Sequence, residues 1–218
     1  MVVDNRDLAT VTCDDMRELH RDVPTANKYD MVRHFAQFEK LSALGYVLFA
    51  TYVVAALEQD AGFATGQASR VFALMGVGNA VGALSIGRLS DRVGRRVTMF
   101  TCFALAGVGC LAVLAGTDPL VSMATIGFGF GMAGGVVSIA SYIGDHVRPQ
   151  DFSAAFGVIT ACFGVAQMIG PRLGGWMADR FGSFNWVFVL AATMWFIGSA
   201  AASRLPHETK PSVPETGS

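Results

Sequence analysis

Charge is what this sequence has least of. Only 15% of its 218 residues are Asp, Glu, Lys or Arg, where a soluble domain carries about a quarter. The 16 basic and 17 acidic residues leave a net charge of −1, so nothing in the charge balance points to nucleic acid. Cysteine is scarce as well. Cys13, Cys102, Cys110 and Cys162 show no paired spacing, which argues against a disulfide framework and against a zinc site. The last three lie in apolar segments, where a thiol behaves as a small hydrophobe. Cys13, Asp14 and His20 lack metal-ligand spacing, and there is no phosphate loop of the G-x-x-x-x-G-K type. No nucleophile stands beside a base. An enzyme, a cofactor and a metal are therefore not expected. Residues 1–30 contain no apolar signal-peptide core.

What the chain has in quantity is apolar length. Hydrophobic residues make up 52% of it, gathered into runs over about 41–57, 71–89, 97–115, 120–143, 153–177 and 185–202. Each is near the roughly 20 residues that cross a bilayer core as a helix. The expected fold is an all-α integral membrane protein of six transmembrane helices spanning 41–205. Residues 1–40 form a polar leader. Within it Met31, Phe35, Phe38 and Leu41 share one helical face beside Lys28, Arg33 and Lys40, suited to the membrane surface or, equally, to a solvated leader. Residues 206–218 read as a disordered polar tail.

Basic residues set the expected orientation. The leader carries Arg6, Arg17, Arg21, Lys28, Arg33 and Lys40, and the same side receives Arg148, Arg204, Lys210 and the four arginines between 87 and 96. The other side receives Arg70, Arg180 and Arg172. Short cytoplasmic loops retain Lys and Arg, so both termini are expected in the cytoplasm.

Glycine supplies the next signal. Gly78 and Gly82 on the second run, Gly127, Gly131 and Gly135 on the fourth, and Gly170 and Gly174 on the fifth recur every four residues. That spacing lets helix backbones approach in lipid, either as static packing or as surfaces that slide. The same reading covers the G-x-G pattern at Gly127, Gly129 and Gly131. Pro171 permits a kink in the fifth run, and Arg172 is placed to snorkel to the interface. In the loop Gly87-Arg88-Leu89-Ser90-Asp91-Arg92-Val93-Gly94-Arg95-Arg96, Gly87 permits close approach and Gly94 provides the turn. Asp91 suits a helix N-terminus. Arg92, Arg95 and Arg96 suit carboxylates or C-terminal carbonyls, and contacts of that kind can make and break as a latch.

The spacing G-x-L-S-D-R-x-G-R-R-x-x-M resembles the loop signature of the major facilitator superfamily of transporters, found between the second and third helices of each six-helix half. Gly170-Pro171-x-x-Gly174-Gly175 resembles the antiporter signature of that superfamily, with Ala161 where a glycine is expected. Gly144-Asp145, Ala155-Phe156-Gly157, Phe163-Gly164-x-x-Gln167, Trp176-x-x-Asp179 and Gly182-Ser183-Phe184 look like the YbfB/YjiJ type, as do Gly45-Tyr46 and Ala50-Thr51. The similarity covers about 41–205 and matches the second half of a twelve-helix transporter.

That resemblance implies a first and a fourth helix lining a cavity, a second and a fifth flanking and gating it, and a third and a sixth facing lipid. Polar residues within spans are costly. On the lining and gating helices they are Tyr46, Thr51, Tyr52, Asn79, Ser138, Ser141, Tyr142, Thr160 and Gln167, fitted either to a cavity or to interhelical hydrogen bonds. Glu58 and Asp145 stand at span ends, so a proton carrier would belong to another half. The implied function is secondary transport of a small solute by alternating access in the inner membrane. The implied partners are the lipid bilayer, the solute and a second six-helix bundle, encoded separately or supplied by another copy. The alternative is a truncated, non-transporting fragment or interaction module.

Overall fold

The computed structural model describes residues 25–146 and 149–204, with side chains from Lys40 onward except at His146. Every regular element among them is helical. The helices are α1 (Thr25–Gln59), α2 (Thr65–Val93), α3 (Arg95–Ala112, extended by a 3-10 turn over Val113–Ala115), α4 (Asp118–His146), α5 (Pro149–Phe181) and α6 (Asn185–Ala202). Six of the described segments are long and apolar enough to cross a bilayer. The leader's candidate surface face at 31–38 lies within α1, which runs without a break from 25 into the first span; its side chains lie outside the described set. The tail at 206–218 and the candidate helix at 14–20 also lie outside the described residues.

Connections are short. Gly62, Gly94, Gly116 and Gly182 have positive φ, between 65° and 97°, and each sits in one of the tight turns between spans. Gly94 alone separates α2 from α3. Its N–H closes α2 on the Ser90 carbonyl at 2.9 Å, and its own carbonyl accepts from the Thr98 N–H at 3.1 Å to open α3. At φ 97° any side chain would be strained, so one glycine ends one membrane helix and begins the next.

The packing repeats itself. α2 packs on α4 as α5 packs on α1; α3 packs on α4 as α6 packs on α1; α3 and α6 pack on each other. Exchanging α1–α3 with α4–α6 maps this list onto itself, the pattern of two three-helix repeats. The repeats meet in an aromatic core. Phe49 of α1 stacks on Phe128 of α4 with ring centroids 3.8 Å apart and meets Phe188 of α6 edge-on at 5.7 Å. Trp195 of α6 contacts Phe128 at 5.9 Å and Phe103 of α3 at 5.5 Å. All five rings are buried.

Glycine sets the depth of the contacts around α4. A Cβ at Gly82 would fall 2.6 Å from the Phe130 carbonyl oxygen, and one at Gly78 would run into the backbone of Ile126. From the other side, Gly129 lies on the backbone of Met75 and Gly131 on that of Cys102. In lipid no hydrophobic effect draws helices together, so van der Waals contact at this distance becomes a main source of association. Gly127, by contrast, meets only the Leu105 side chain at 3.5 Å, an ordinary contact.

Coverage is uneven. The spans of α1, α3, α4 and α6 are 44–50% buried within the bundle, α2 28% and α5 17%. Phe72, Val77, Val81 and Leu84 of α2 and Val158, Val165, Met168 and Ile169 of α5 are exposed.

A Gly82→Leu substitution should therefore cost at least the 1–3 kcal/mol typical of overpacking. Gly76→Leu, on the same helix with open space around it, should cost little. Thermal unfolding of the two variants in detergent, followed by circular dichroism, checks the difference.

Candidate functional site

The charged loop ties four helix ends together. Arg95, at the start of α3, donates through Nε to Asp145 near the end of α4 at 2.5 Å and through Nη1 to Asp91 of α2 at 3.0 Å. Arg96 donates to the carbonyl of Ser203, just past α6, where a cation complements the free carbonyls of a helix C-terminus. Arg88 and Arg92 are exposed and pair with no described residue. Asp91 meets Arg95 one turn along rather than a helix N-terminus, because its own helix ends within the same turn. Nothing lies within 4 Å of a Cβ placed on Gly87, so the bundle makes no close approach there.

Magnitude decides what these ties can do. The side chains of Asp91 and Asp145 are 65% and 46% exposed, and ion pairs so open to water contribute about 0.2–1 kcal/mol each. They are too weak to hold the bundle together. They are strong enough to bias a choice between arrangements differing by about that much.

The glycine-proline segment of α5 does different work. Gly170 and Gly174 are buried, and added side-chain atoms there would run into Val47 and Tyr52 of α1. Pro171 leaves the Gln167 carbonyl without its helical N–H partner. Tyr52 donates its hydroxyl to the Pro171 carbonyl and lies 3.2 Å from where a Gly175 Cβ would stand. The segment is thus a groove in α5 occupied by α1. Arg172 points away from it, exposed beside the exposed Trp176.

The remaining polar candidates scatter. Tyr46 is half-buried and stacks near Phe163 of α5 at 6.1 Å. Thr51 is exposed, and Gln167 and Ser141 are half-buried. Asn79 is half-buried and donates only to the Met132 sulfur, at 3.8 Å. Thr160 is exposed and bonds back to the Phe156 carbonyl at 2.9 Å. Ser138 and Tyr142 are 0% and 1% exposed, inside the bundle, and line no open face of it. Among the described residues no group of His, Cys, Asp or Glu could hold a metal ion.

Sequence reasoning missed Asp60. At the end opposite the charged loop, its Oδ2 accepts from Ser183 Oγ at 2.9 Å and from the Phe184 N–H at 2.8 Å. The α1–α2 turn is thereby pinned to the start of α6. An acidic residue in a polar turn carries no signal of a partner more than 120 residues away. Asp145 and Ser203 escaped as partners of Arg95 and Arg96 for the same reason.

Comparison with known proteins adds the following. Residues 41–218 match the family model of the Major Facilitator Superfamily. The chain is 30% identical over 115 residues to the uncharacterized MFS-type transporter YfiU of Bacillus subtilis, aligning 52% of itself with 22% of that protein. It is 30% identical over 130 residues to monocarboxylate transporter 12 of Mus musculus, covering 57% of itself and 26% of the relative. A crystal structure of a peptide transporter POT in complex with sulfate superposes with a TM-score of 0.66 at 22% identity, over 78% of this chain and 36% of that one. The chain thus spans about a quarter of the length of these curated relatives.

A double-mutant cycle on Arg95→Ala and Asp145→Ala should give a coupling of about 0.5–1 kcal/mol that fades at 1 M salt. Unfolding midpoints of the four proteins at low and high salt read it directly.

Proposed function

The chain belongs to the Major Facilitator Superfamily, and from that premise we propose that it is one half of a secondary transporter that moves a small solute by alternating access. The reading rests on the uneven coverage of the bundle. α2 and α5 are the least buried spans, and their outer faces carry Gly76, Gly157 and Gly164, around which added side chains would meet nothing. Glycine on a lipid-facing surface gains nothing from lipid, but it permits the close approach of another helix. A second six-helix bundle fits that face, whether a separately encoded half or a second copy related by two-fold symmetry. That the chain covers 36% of a transporter's structure is consistent with such a division.

On this reading the solute passes between the two bundles near the bilayer midplane. α1 and α4 line the passage and α2 flanks it, with Tyr46 and Thr51 of α1 and Asn79 of α2 as its polar contacts. The ties of Arg95 and Arg96 hold the cytoplasmic ends of α2, α3, α4 and α6 in one arrangement and release in the other. On the same reading both termini lie in the cytoplasm, the side on which the excess of Lys and Arg falls, and the protein lies in the inner membrane.

Cross-linking of host membranes tests the partner. A denatured band near 23.1 kDa should shift to about twice that mass, and cysteines introduced at Gly157 or Val165 in a cysteine-free chain should give the same shift. Flux is tested without choosing a solute: vesicles holding the protein are loaded with a metabolite extract, and loss of each component is followed by mass spectrometry. At least one component should leave faster than from empty vesicles, and Asp91→Asn should slow it about two- to fivefold at equal expression, the kinetic equivalent of roughly 0.5–1 kcal/mol. No protein-dependent loss of any component would favour a non-transporting membrane module instead.

A further inference from the structure

The aromatic core contains one nitrogen with nothing to bond. Trp195 is 2% exposed, and its Nε1 has no hydrogen-bond partner. An indole N–H can only donate, and leaving such a donor buried and unpaired costs far more than pairing it. Beside it lies a cavity of about 10 Å³, lined by Ser42 and Tyr46 of α1, Met132 and Val136 of α4, Phe163 of α5 and Trp195 itself. Gly45 sets the direction of the indole. A Cβ there would stand 2.8 Å from Nε1, so only glycine lets the nitrogen edge reach α1 between Ser42 and Tyr46, both of which line the cavity. Tyr46, Met132, Val136 and Phe163 are half-buried. The mouth of the crevice therefore opens between α1, α4 and α5, and its back is the indole.

We propose that this crevice seats a single hydrogen-bond-accepting oxygen on the Trp195 N–H. The volume matches about one water, so the seat admits one oxygen atom and no larger group. Two sources supply that chemistry: a water, or a carboxyl or carbonyl oxygen of a solute reaching in past Tyr46 and Phe163. In the second case the seat selects solutes that carry an acceptor at one end, and that case rests on the transport reading above. In the first case the seat stands without it.

The full chain has 3 tryptophans, and Trp176 and Trp186 are exposed. Trp176→Phe with Trp186→Phe leaves Trp195 as the sole indole, at little cost to folding. The ultraviolet resonance Raman band that reports indole N–H hydrogen bonding is then read in detergent, first without additive and then with acetate as the probe oxygen. A bonded band without additive identifies water as the occupant. A free band that becomes bonded on adding acetate identifies a solute oxygen. A free band under both conditions overturns the proposal. Gly45→Ala in the same background drives a methyl against Nε1 and should return a bonded band to the free position; circular dichroism shows whether that variant is folded, and the parent measurement stands without it. Flux is a separate readout. A bonded band in a protein that transports nothing keeps the seat and removes the transport reading, and a free band in a protein that transports does the reverse.

Discussion

Backbone against backbone, across glycine, is the contact the bundle depends on. A helix in lipid satisfies its own N–H and C=O groups but has no solvent-driven reason to join another helix. Association then comes from dispersion, which falls away within an ångström of added separation. Gly78, Gly82, Gly129 and Gly131 remove the side chains that would impose that separation, and the chain of α4 comes to rest on those of α2 and α3. α4 is consequently packed on two sides. α1, its counterpart in the first repeat, is packed by α5 and α6 in the same way, with Gly170 and Gly174 supplied by the partner helix. The repeats use one geometry and place the glycines differently.

With α1 and α4 held from behind, α2 and α5 are left as the least covered spans. Each is long, at 29 and 33 residues, and each is covered along one edge only. A face of this kind in a soluble protein would be an apolar patch that water penalises. In a membrane it carries no such penalty, so exposure alone says nothing. Gly76, Gly157 and Gly164 leave open space on these two helices, and it is on these glycines that the proposal of a second bundle rests.

Much of this architecture was legible in the sequence, and the limits of legibility have a physical cause. The number of spans follows from length and apolarity, and the turns from glycine placed between charged or polar residues. Gly78, Gly82, Gly131 and Gly135 stand at contacts between helices, where the four-residue spacing put them. Direction is harder to read. In water a polar side chain marks the outside of a helix, whereas in lipid both faces are apolar and periodicity loses its meaning. Ser138 and Tyr142 show the consequence: polarity alone fits them to a cavity or to an interhelical contact, and they lie in the buried interior. Thr160 illustrates another escape, since its hydroxyl bonds to its own helix and needs no cavity. The aromatic core was invisible for the same reason as direction. Phe49, Phe128 and Trp195 are three among many large apolar residues, and nothing local says which of them meet.

Two scales of interaction share the structure. The glycine contacts and the ring cluster engage whole helices, and losing any of them leaves a clash or a void worth kilocalories. The ties of Arg95 and of Asp60 stand at opposite ends, outside the apolar region, open to water and salt. Each is worth less than a single buried leucine. A body assembled this way deforms at its ends before it deforms at its middle. Helix ends can exchange partners while the packed centre moves as one piece, because the energy that fixes the centre is several times the energy that fixes the ends. A bundle required to rock against a partner needs that ordering. If the strong contacts lay at the ends and the weak ones in the middle, the same motion would pull the helices apart.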